Sequence, residues 1–168
     1  MSSLPLIRPA VPADVPSLLA LIRALADYER LAHQVEATAE RLHTALFGPQ
    51  ACAEAILLET DGVVAGFALC FPNFSTFLAR PGLHLEDLFV KAEFRGRGYG
   101  KALLQHLARL AVERGCGRFE WTVLDWNQPA IEFYRRQGAD ILSDWRICRL
   151  TGTALAQLAD RTSDTLQS

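Results

Sequence analysis

An excess of positive charge is missing from this sequence, and that absence argues against nucleic acid or an anionic membrane as a partner. Seventeen Lys and Arg face nineteen Asp and Glu, for a formal net charge of -2 and a pI near 6.1, whereas both polyanions demand a basic face. A local cationic pocket for phosphate remains compatible with this balance. Cys-x-x-Cys spacing and paired histidines are also lacking. Cys52, Cys70, Cys116 and Cys148 stand far apart, so no metal is expected, and with no signal peptide ahead of them they read as reduced core thiols in a cytoplasmic protein. No repeat, linker or low-complexity block interrupts the chain. One stretch, 62–79, has no charged residue, but Pro72 and Asn73 break it, and GVVAGFALCF before them reads as a buried strand, not a membrane span. The 168 residues, half of them hydrophobic, suit a single domain over 1–168.

Periodicity then orders the chain. Leu4 to Arg8 is a strand, and Asp14 is expected to cap a helix with Leu18, Leu21, Ile22 and Leu25 as its apolar stripe and Tyr28 and Glu29 near its end. A second helix is expected from Thr38 to Leu46. Cys52 to Glu59 and Val63 to Phe71 flank the turn signal TDG and should pair antiparallel. Leu83 to Val90 is the next strand, followed by a glycine loop and a helix buried through Leu103, Leu104, Leu107, Ala108 and Ala111 that Gly115 and Gly117 end. Phe119 to Leu124 is a strand, Asn127 to Gln137 a helix stopped by Gly138, and Trp145 to Leu150 a last strand before a short helical tail. Only two βαβ opportunities occur, so a mixed α/β (α+β) fold with a largely antiparallel sheet flanked by helices is expected.

The loop at Glu93 to Leu104 reads EFRGRGYGKALL. Alternate glycines let the backbone approach a ligand closely, and a helix start behind them offers unpaired N–H groups and a positive dipole. An anion, most naturally a phosphate, suits such a place. The spacing matches neither the loop ending in Gly-Lys-Ser/Thr nor Gly-x-Gly-x-x-Gly, since the third glycine comes one residue early. On this stretch alone, a solvated connection between strand and helix is an equal reading.

The context changes the balance. The loop contains Arg95-Gly96-Arg97-Gly98-Tyr99-Gly100, preceded by HLEDLFV and followed by WTVLDWNQPAIEFYRRQGA with Asn127, Ala130, Phe133 and Tyr134 in an Asn-x-x-Ala-x-x-Phe-Tyr pattern; an IRPA start lies at Ile7. Together these resemble the GNAT superfamily of N-acetyltransferases over nearly the whole chain. LADYER, LEDLFV and DWNQPAIEFYRR resemble its diamine (spermidine/spermine) acetyltransferase branch.

The resemblance implies a sheet of six to seven strands with splayed central strands, acetyl-CoA as co-substrate, an amine as acceptor and a homodimer. It places the pyrophosphate on the backbone of Gly96, Arg97, Gly98, Tyr99, Gly100 and Lys101, with Arg95 and Arg97 adding charge at the mouth. The pantetheine arm would lie along Leu88, Phe89 and Val90, and Asn127, Gln128, Pro129, Ala130 and Tyr134 would line the same co-substrate.

Amide formation from a thioester needs a neutral amine, stabilisation of an oxyanion, and a proton for the departing thiolate. Glu86 is the candidate base. A regular strand sends Leu83, Leu85, Asp87 and Phe89 to one side and His84, Glu86, Leu88 and Val90 to the other, so Glu86 and Asp87 share a site only through a bulge, which the resemblance implies near this point. Tyr134 reads from the residues alone as a core aromatic, and the Phe-Tyr motif implies it as the general acid. Trp121 and Trp145 are core or pocket wall, and Glu29 is an exposed charge or an amine-binding carboxylate. Tyr28, Glu120 and Thr122 complete the candidate acceptor site with Glu86 and Asp87.

One departure bears on the acceptor. Polyamine-acetylating relatives carry an acidic residue and a Trp in the loop before the LED strand, where this chain has Asn73-Phe74-Ser75-Thr76-Phe77-Leu78, and His84 stands in place of a usual Tyr. A long polycation would lose a carboxylate partner there, which favours a short diamine or an ω-amino amino acid. A coenzyme A sensing module without turnover and a protein N-acetyltransferase are the competing classes.

Overall fold

The computed structural model describes residues 5–160, and they form two compact units that meet in sequence between Leu124 and Asp125. The first holds one five-stranded sheet in chain order, β1 (Leu6–Pro9), β2 (Glu54–Thr60), β3 (Val63–Ser75), β4 (Arg80–Val90) and β5 (Arg118–Trp121). The first three pairings are antiparallel, and β4 with β5 is parallel. Asp61 and Gly62 both adopt left-handed backbone, φ 50° and 74°, the conformation a two-residue hairpin needs to match the twist of its strands.

Helices α1 (Val15–Tyr28) and α2 (Ala39–Phe47) share one core with the sheet. Leu18, Leu21 and Leu25 of α1 and Leu46 of α2 pack with Ala55, Leu57, Phe67 and Phe89. Each of these large side chains contributes about 1.5–3 kcal/mol on burial, which fixes the end of α1 against β4. Helix α3 (Tyr99–Glu113) buries Leu103, Leu104, Leu107 and Ala111 and packs on β2, β3 and β4.

The second helix, expected from Thr38, begins at Ala39, and Thr38 caps it, its Oγ1 accepting from the Arg41 N–H at 3.2 Å. Asp14 stands at the N-cap position of α1, as expected, but its side chain makes no capping hydrogen bond to the helix. Its carboxylate takes Arg8 Nη1 at 2.7 Å and the Val11 N–H at 2.8 Å, so it ties β1 to the turn ahead of the helix. Of the four free cysteines, Cys70 is buried while Cys52 and Cys148 are exposed, which corrects the expectation of four core thiols. Among the described residues no helix is long and apolar enough to cross a membrane.

The second unit holds α4 (Gln128–Arg136) and α5 (Gly152–Asp160). Asn127 caps α4, and Gly138, at φ 91°, follows its end. The strand expected at Trp145–Leu150 is absent, and the sheet has five strands instead of six or seven. A strand requires a ladder partner for its N–H and C=O groups. Among the described residues this segment has none, and Trp145, Ile147 and Leu150 stand exposed.

Candidate active site

The sequence HLEDLFV is not a regular strand. Against β3 the register runs Leu83↔Pro72, His84↔Phe71 and Leu85↔Cys70, then resumes at Asp87↔Leu69, Leu88↔Ala68 and Phe89↔Phe67. Glu86 is the extra residue of a β-bulge. Cross-strand partners share a face, so the bulge exchanges the faces of everything after it. Leu85 lies with Cys70, while Asp87 and Phe89 lie with Leu69 and Phe67, the face that packs on α1. The bulge that the resemblance implies near this point is present, and with it the regular-strand alternation that would put Leu83, Leu85, Asp87 and Phe89 on one side gives way.

The bulge gathers charge. Burial pushes the Asp87 carboxyl up to about 6, with the Glu86 carboxylate and then Glu29 adding to the effect, and burial also raises Glu29. Glu29 directly follows the last residue of α1, so the helix core delivers it toward the bulge. Glu86 itself is open to solvent, with 55% of its side chain exposed, and its Oε2 lies 3.8 Å from Nε2 of His84. The His84 ring stacks on Phe71 at 4.8 Å between centroids. A partly desolvated pair of carboxyls, Asp87 and Glu29, beside a half-open carboxylate suits an ammonium group and a base that takes its proton.

Glu120 is engaged differently. Its Oε1 accepts from Asn73 Nδ2 at 2.7 Å and pairs with Arg118 Nε at 3.2 Å. Trp121 is half-buried at the end of β5, its ring 5.0 Å from that of Phe119, and Thr122 beyond it is exposed.

Parallel pairing of β4 with β5 covers only Gly82↔Arg118 to Leu85↔Trp121. It stops at the bulge, so β5 ends at Trp121 and not at Leu124, and β4 continues through Leu88, Phe89 and Val90 with no strand on that edge among the described residues. Such an edge offers backbone groups to an extended amide-bearing chain.

Beyond β4 the chain turns through Gly96 and Gly98, at φ 77° and 81°, and nothing lies within 4 Å of where a Cβ would stand on either. A side-chain-free, left-handed loop thus leaves open space ahead of α3. The first backbone bond of the helix runs from the Ala102 N–H to Gly98 O at 3.0 Å, which leaves the N–H groups of Tyr99, Gly100 and Lys101 without an intrahelical acceptor. These features fit a pyrophosphate. The Tyr99 hydroxyl bonds Thr60 Oγ1 at 3.3 Å, and Lys101 is exposed.

The two arginines differ. Arg97 is exposed, its Nη2 donating to Glu93 O at 3.3 Å. Arg95 folds back: its Nε donates to Val90 O at 3.0 Å, and its guanidinium lies 4.7 Å from the Tyr28 ring centroid and 5.5 Å from that of Phe89.

In the second unit, Asn127 is buried and its Oδ1 accepts from the Ala130 N–H at 3.4 Å. Gln128 and Pro129 begin α4 and are exposed, and Gln128 Nε2 donates to Asp125 O. Tyr134 is buried on α4, its ring 5.2 Å from Phe133. Trp145 is 77% exposed, which excludes the core reading.

Sequence reasoning missed the roles of His84, Phe71, Asn73 and Arg118. His84 stacks across the β3–β4 register, and the Asn73–Glu120–Arg118 group spans three strands, so no local spacing announces either. The one available signal was the departure of His84 and Asn73 from the pattern that the resemblance implied. Among the described residues no group of three or more His, Cys, Asp or Glu side chains is arranged to hold a metal ion.

Comparison with known proteins adds an independent line. Residues 18–139 match the acetyltransferase (GNAT) family, across both units. The chain is 38% identical to L-ornithine N5-acetyltransferase of Arabidopsis thaliana, over 89% of this chain and 85% of that protein. It is 35% identical to thialysine N-epsilon-acetyltransferase of Bos taurus, over 93% and 98%. Among solved structures, an integron cassette protein from the mobile metagenome of V. cholerae superposes with a TM-score of 0.78 at 26% identity, covering 93% of this chain and 98% of that one.

Proposed function

Because this chain belongs to the GNAT family of acetyltransferases, we propose that it transfers the acetyl group of acetyl-CoA to the primary amine of a small molecule, with an ω-amino amino acid or short diamine favoured over a long polyamine. The bulge at Glu86 is the observation that carries the reading, because it sets Glu86 and Asp87 together opposite the end of α1. Acetyl-CoA supplies an activated acyl thioester, and GNAT acetyltransferases use it as co-substrate. Its pyrophosphate is assigned to the backbone from Gly96 to Lys101 and its pantetheine arm to the free edge of β4.

In the proposed reaction the amine must arrive uncharged, and a pKa of ~10.4 leaves almost all of it protonated at pH 7. Asp87 and Glu29 favour the ammonium electrostatically, and Glu86, directly or through water, takes its proton. The nitrogen then bonds to the acyl carbon as the carbon–sulfur bond breaks. Tyr134, in the Phe-Tyr motif of α4, is assigned the proton that the thiolate collects, and the second proton that the nitrogen sheds on becoming an amide passes through solvent to restore the phenol; a phenol of pKa ~10 suits that transfer. Glu120, held by Asn73 and Arg118, is already charge-compensated and assigned to the wall in place of ammonium binding. Trp121 and Thr122 border the same end of β5.

Substrate size follows from the far end of the β3–β4 hairpin. Residues 73–78, expected as a loop, divide between β3, which runs to Ser75, and the turn after it; they carry no charge, and the Glu120 carboxylate that Asn73 bonds is already paired with Arg118, so a second, distant ammonium meets no uncompensated carboxylate there and its desolvation is unmatched. The acceptors named in two similar proteins, ornithine and thialysine, are ω-amino amino acids and support the same preference.

A single acetyltransferase domain over 1–168 is proposed because the family match crosses both units. We also propose a homodimer in the cytoplasm; the exposed apolar side chains of Leu142, Trp145 and Ile147 support the dimer by offering apolar surface to a second copy. Incubation with acetyl-CoA and L-ornithine, followed by mass spectrometry, tests the reaction: an acetyl adduct on the side-chain nitrogen is expected, and recovery of unmodified amine with every ω-amine tried would overturn it.

A further inference from the structure

The arginine that opens the glycine motif stands in an unusual position for a phosphate ligand. Arg95 Nε is committed to Val90 O at 3.0 Å, and its guanidinium covers the Tyr28 ring at 4.7 Å and the Phe89 ring at 5.5 Å. Three separate elements meet on this side chain: Tyr28 is the last residue of α1 and Glu29 follows it, Phe89 and Val90 end β4, and Gly96 begins the left-handed loop. Phe89 is itself in the core with Leu18, Leu21 and Leu25 of the same helix. The guanidinium thus joins the loop assigned to the co-substrate to the helix end assigned to the amine.

We propose that Arg95 is a positioning residue that couples the two half-sites, so that occupation of the glycine loop by coenzyme A strengthens amine binding. The inference rests on the proposed function, which assigns the loop to the pyrophosphate and Glu29, the neighbour of Tyr28, to the amine. An anion on the N–H groups of Gly96 to Lys101 restrains the loop. Arg95, one residue ahead of Gly96, is restrained with it, and so is the ring it covers. Glu29, next to Tyr28, is then held toward Asp87, the carboxyl whose ionisation it opposes. An amine binding to ordered carboxylates gives up less freedom than one that must order them itself. A planar cation over an aromatic ring at a surface site gives a coupling of about two- to fivefold. The effect is reciprocal, so the amine tightens coenzyme A by the same factor.

The test is calorimetric and involves no turnover: the dissociation constant of L-ornithine is measured with and without saturating coenzyme A, in wild type and in Arg95→Gln and Arg95→Lys. Wild type should show the two- to fivefold tightening. In both variants the ratio should fall to about one while coenzyme A affinity changes less than about threefold, because lysine keeps the charge but not the planar face. The ratio is taken within one protein, so a uniform loss of folded material cancels. Should the arginine variants not fold, Tyr28→Leu removes the other half of the contact and should abolish the ratio equally. A ratio of one in wild type overturns the inference, as does an unchanged ratio in folded variants. A tenfold or greater weakening of coenzyme A that Lys restores also overturns it and makes Arg95 a phosphate ligand. If wild type neither binds nor acetylates L-ornithine, the proposed acceptor class fails, and the inference with it.

Discussion

Asp87→Asn is the substitution from which the bulge can be judged most quantitatively. Asp87 is held at about 6, against 3.8 for the free side chain, by burial and by the Glu86 and Glu29 carboxylates. The folded protein therefore binds its proton more tightly than the unfolded chain does. Its contribution is fully present below pH 3.8, is lost as pH rises through 6, and leaves an ionised, poorly solvated carboxylate at pH 7. The rise from 3.8 to about 6 corresponds to a penalty on the order of 2–3 kcal/mol. Asparagine is nearly isosteric and uncharged, so the variant should be more stable than wild type at pH 7 by about 1–3 kcal/mol, which raises Tm by roughly 3–10 °C in a chain of this size. The difference should shrink to nothing by about pH 4. Thermal unfolding followed by circular dichroism between pH 4 and 8 reads both quantities. Equal Tm values at pH 7, or a gain that persists at pH 4, would refute the desolvated acidic cluster. The same variant should bind amines more weakly, since the charge that destabilises the empty site is the one an ammonium offsets.

The remaining predictions concern the co-substrate and the proton transfers. A Cβ on Gly98 meets no protein atom within 4 Å, but Gly98→Val forces a β-branched residue to φ 81°, at a cost of about 1–2 kcal/mol, and places methyl groups in the loop; calorimetry should show acetyl-CoA affinity reduced at least tenfold in a folded protein. Tyr134→Phe should lower kcat by about 10²-fold or more with acetyl-CoA affinity nearly unchanged, and equal activity would return Tyr134 to a packing role. Glu86→Gln should lose activity most at pH 7 and progressively less as pH approaches the amine pKa, where no base is needed; a loss independent of pH would separate Glu86 from proton transfer.

What could be read from the chain divides along a physical line. The glycine loop, the hairpin at Asp61–Gly62 and the stripe of α1 are local, written in residue types that restrict backbone or repeat with the period of a helix, and the structure reproduces them. The bulge is not local. Period-two reasoning assumes one residue opposite one residue, and HLEDLFV carries no glycine or proline to mark the extra position. The family resemblance implies a bulge near this point, and the pairing with β3 fixes it at Glu86, which has no partner of its own. The tie from Asn73 and Arg118 to Glu120 depends likewise on registers among three strands. The strand expected at Trp145–Leu150 fails for another reason: Trp145, Ile147 and Leu150 are apolar, but WRICRL does not keep a strict period of two and among the described residues its backbone has no ladder neighbour.

The account turns on acetyl transfer to a small amine at the bulged end of β4. Steady-state release of thiol from acetyl-CoA, measured across L-ornithine, 1,3-diaminopropane, spermidine and spermine, tests it most directly. A higher kcat/KM for one of the two short amines than for spermine is the predicted result. Release with none of the four would contradict the enzymatic reading, and a ranking led by spermine would contradict the assignment of a charge-free hairpin end as the determinant of acceptor size.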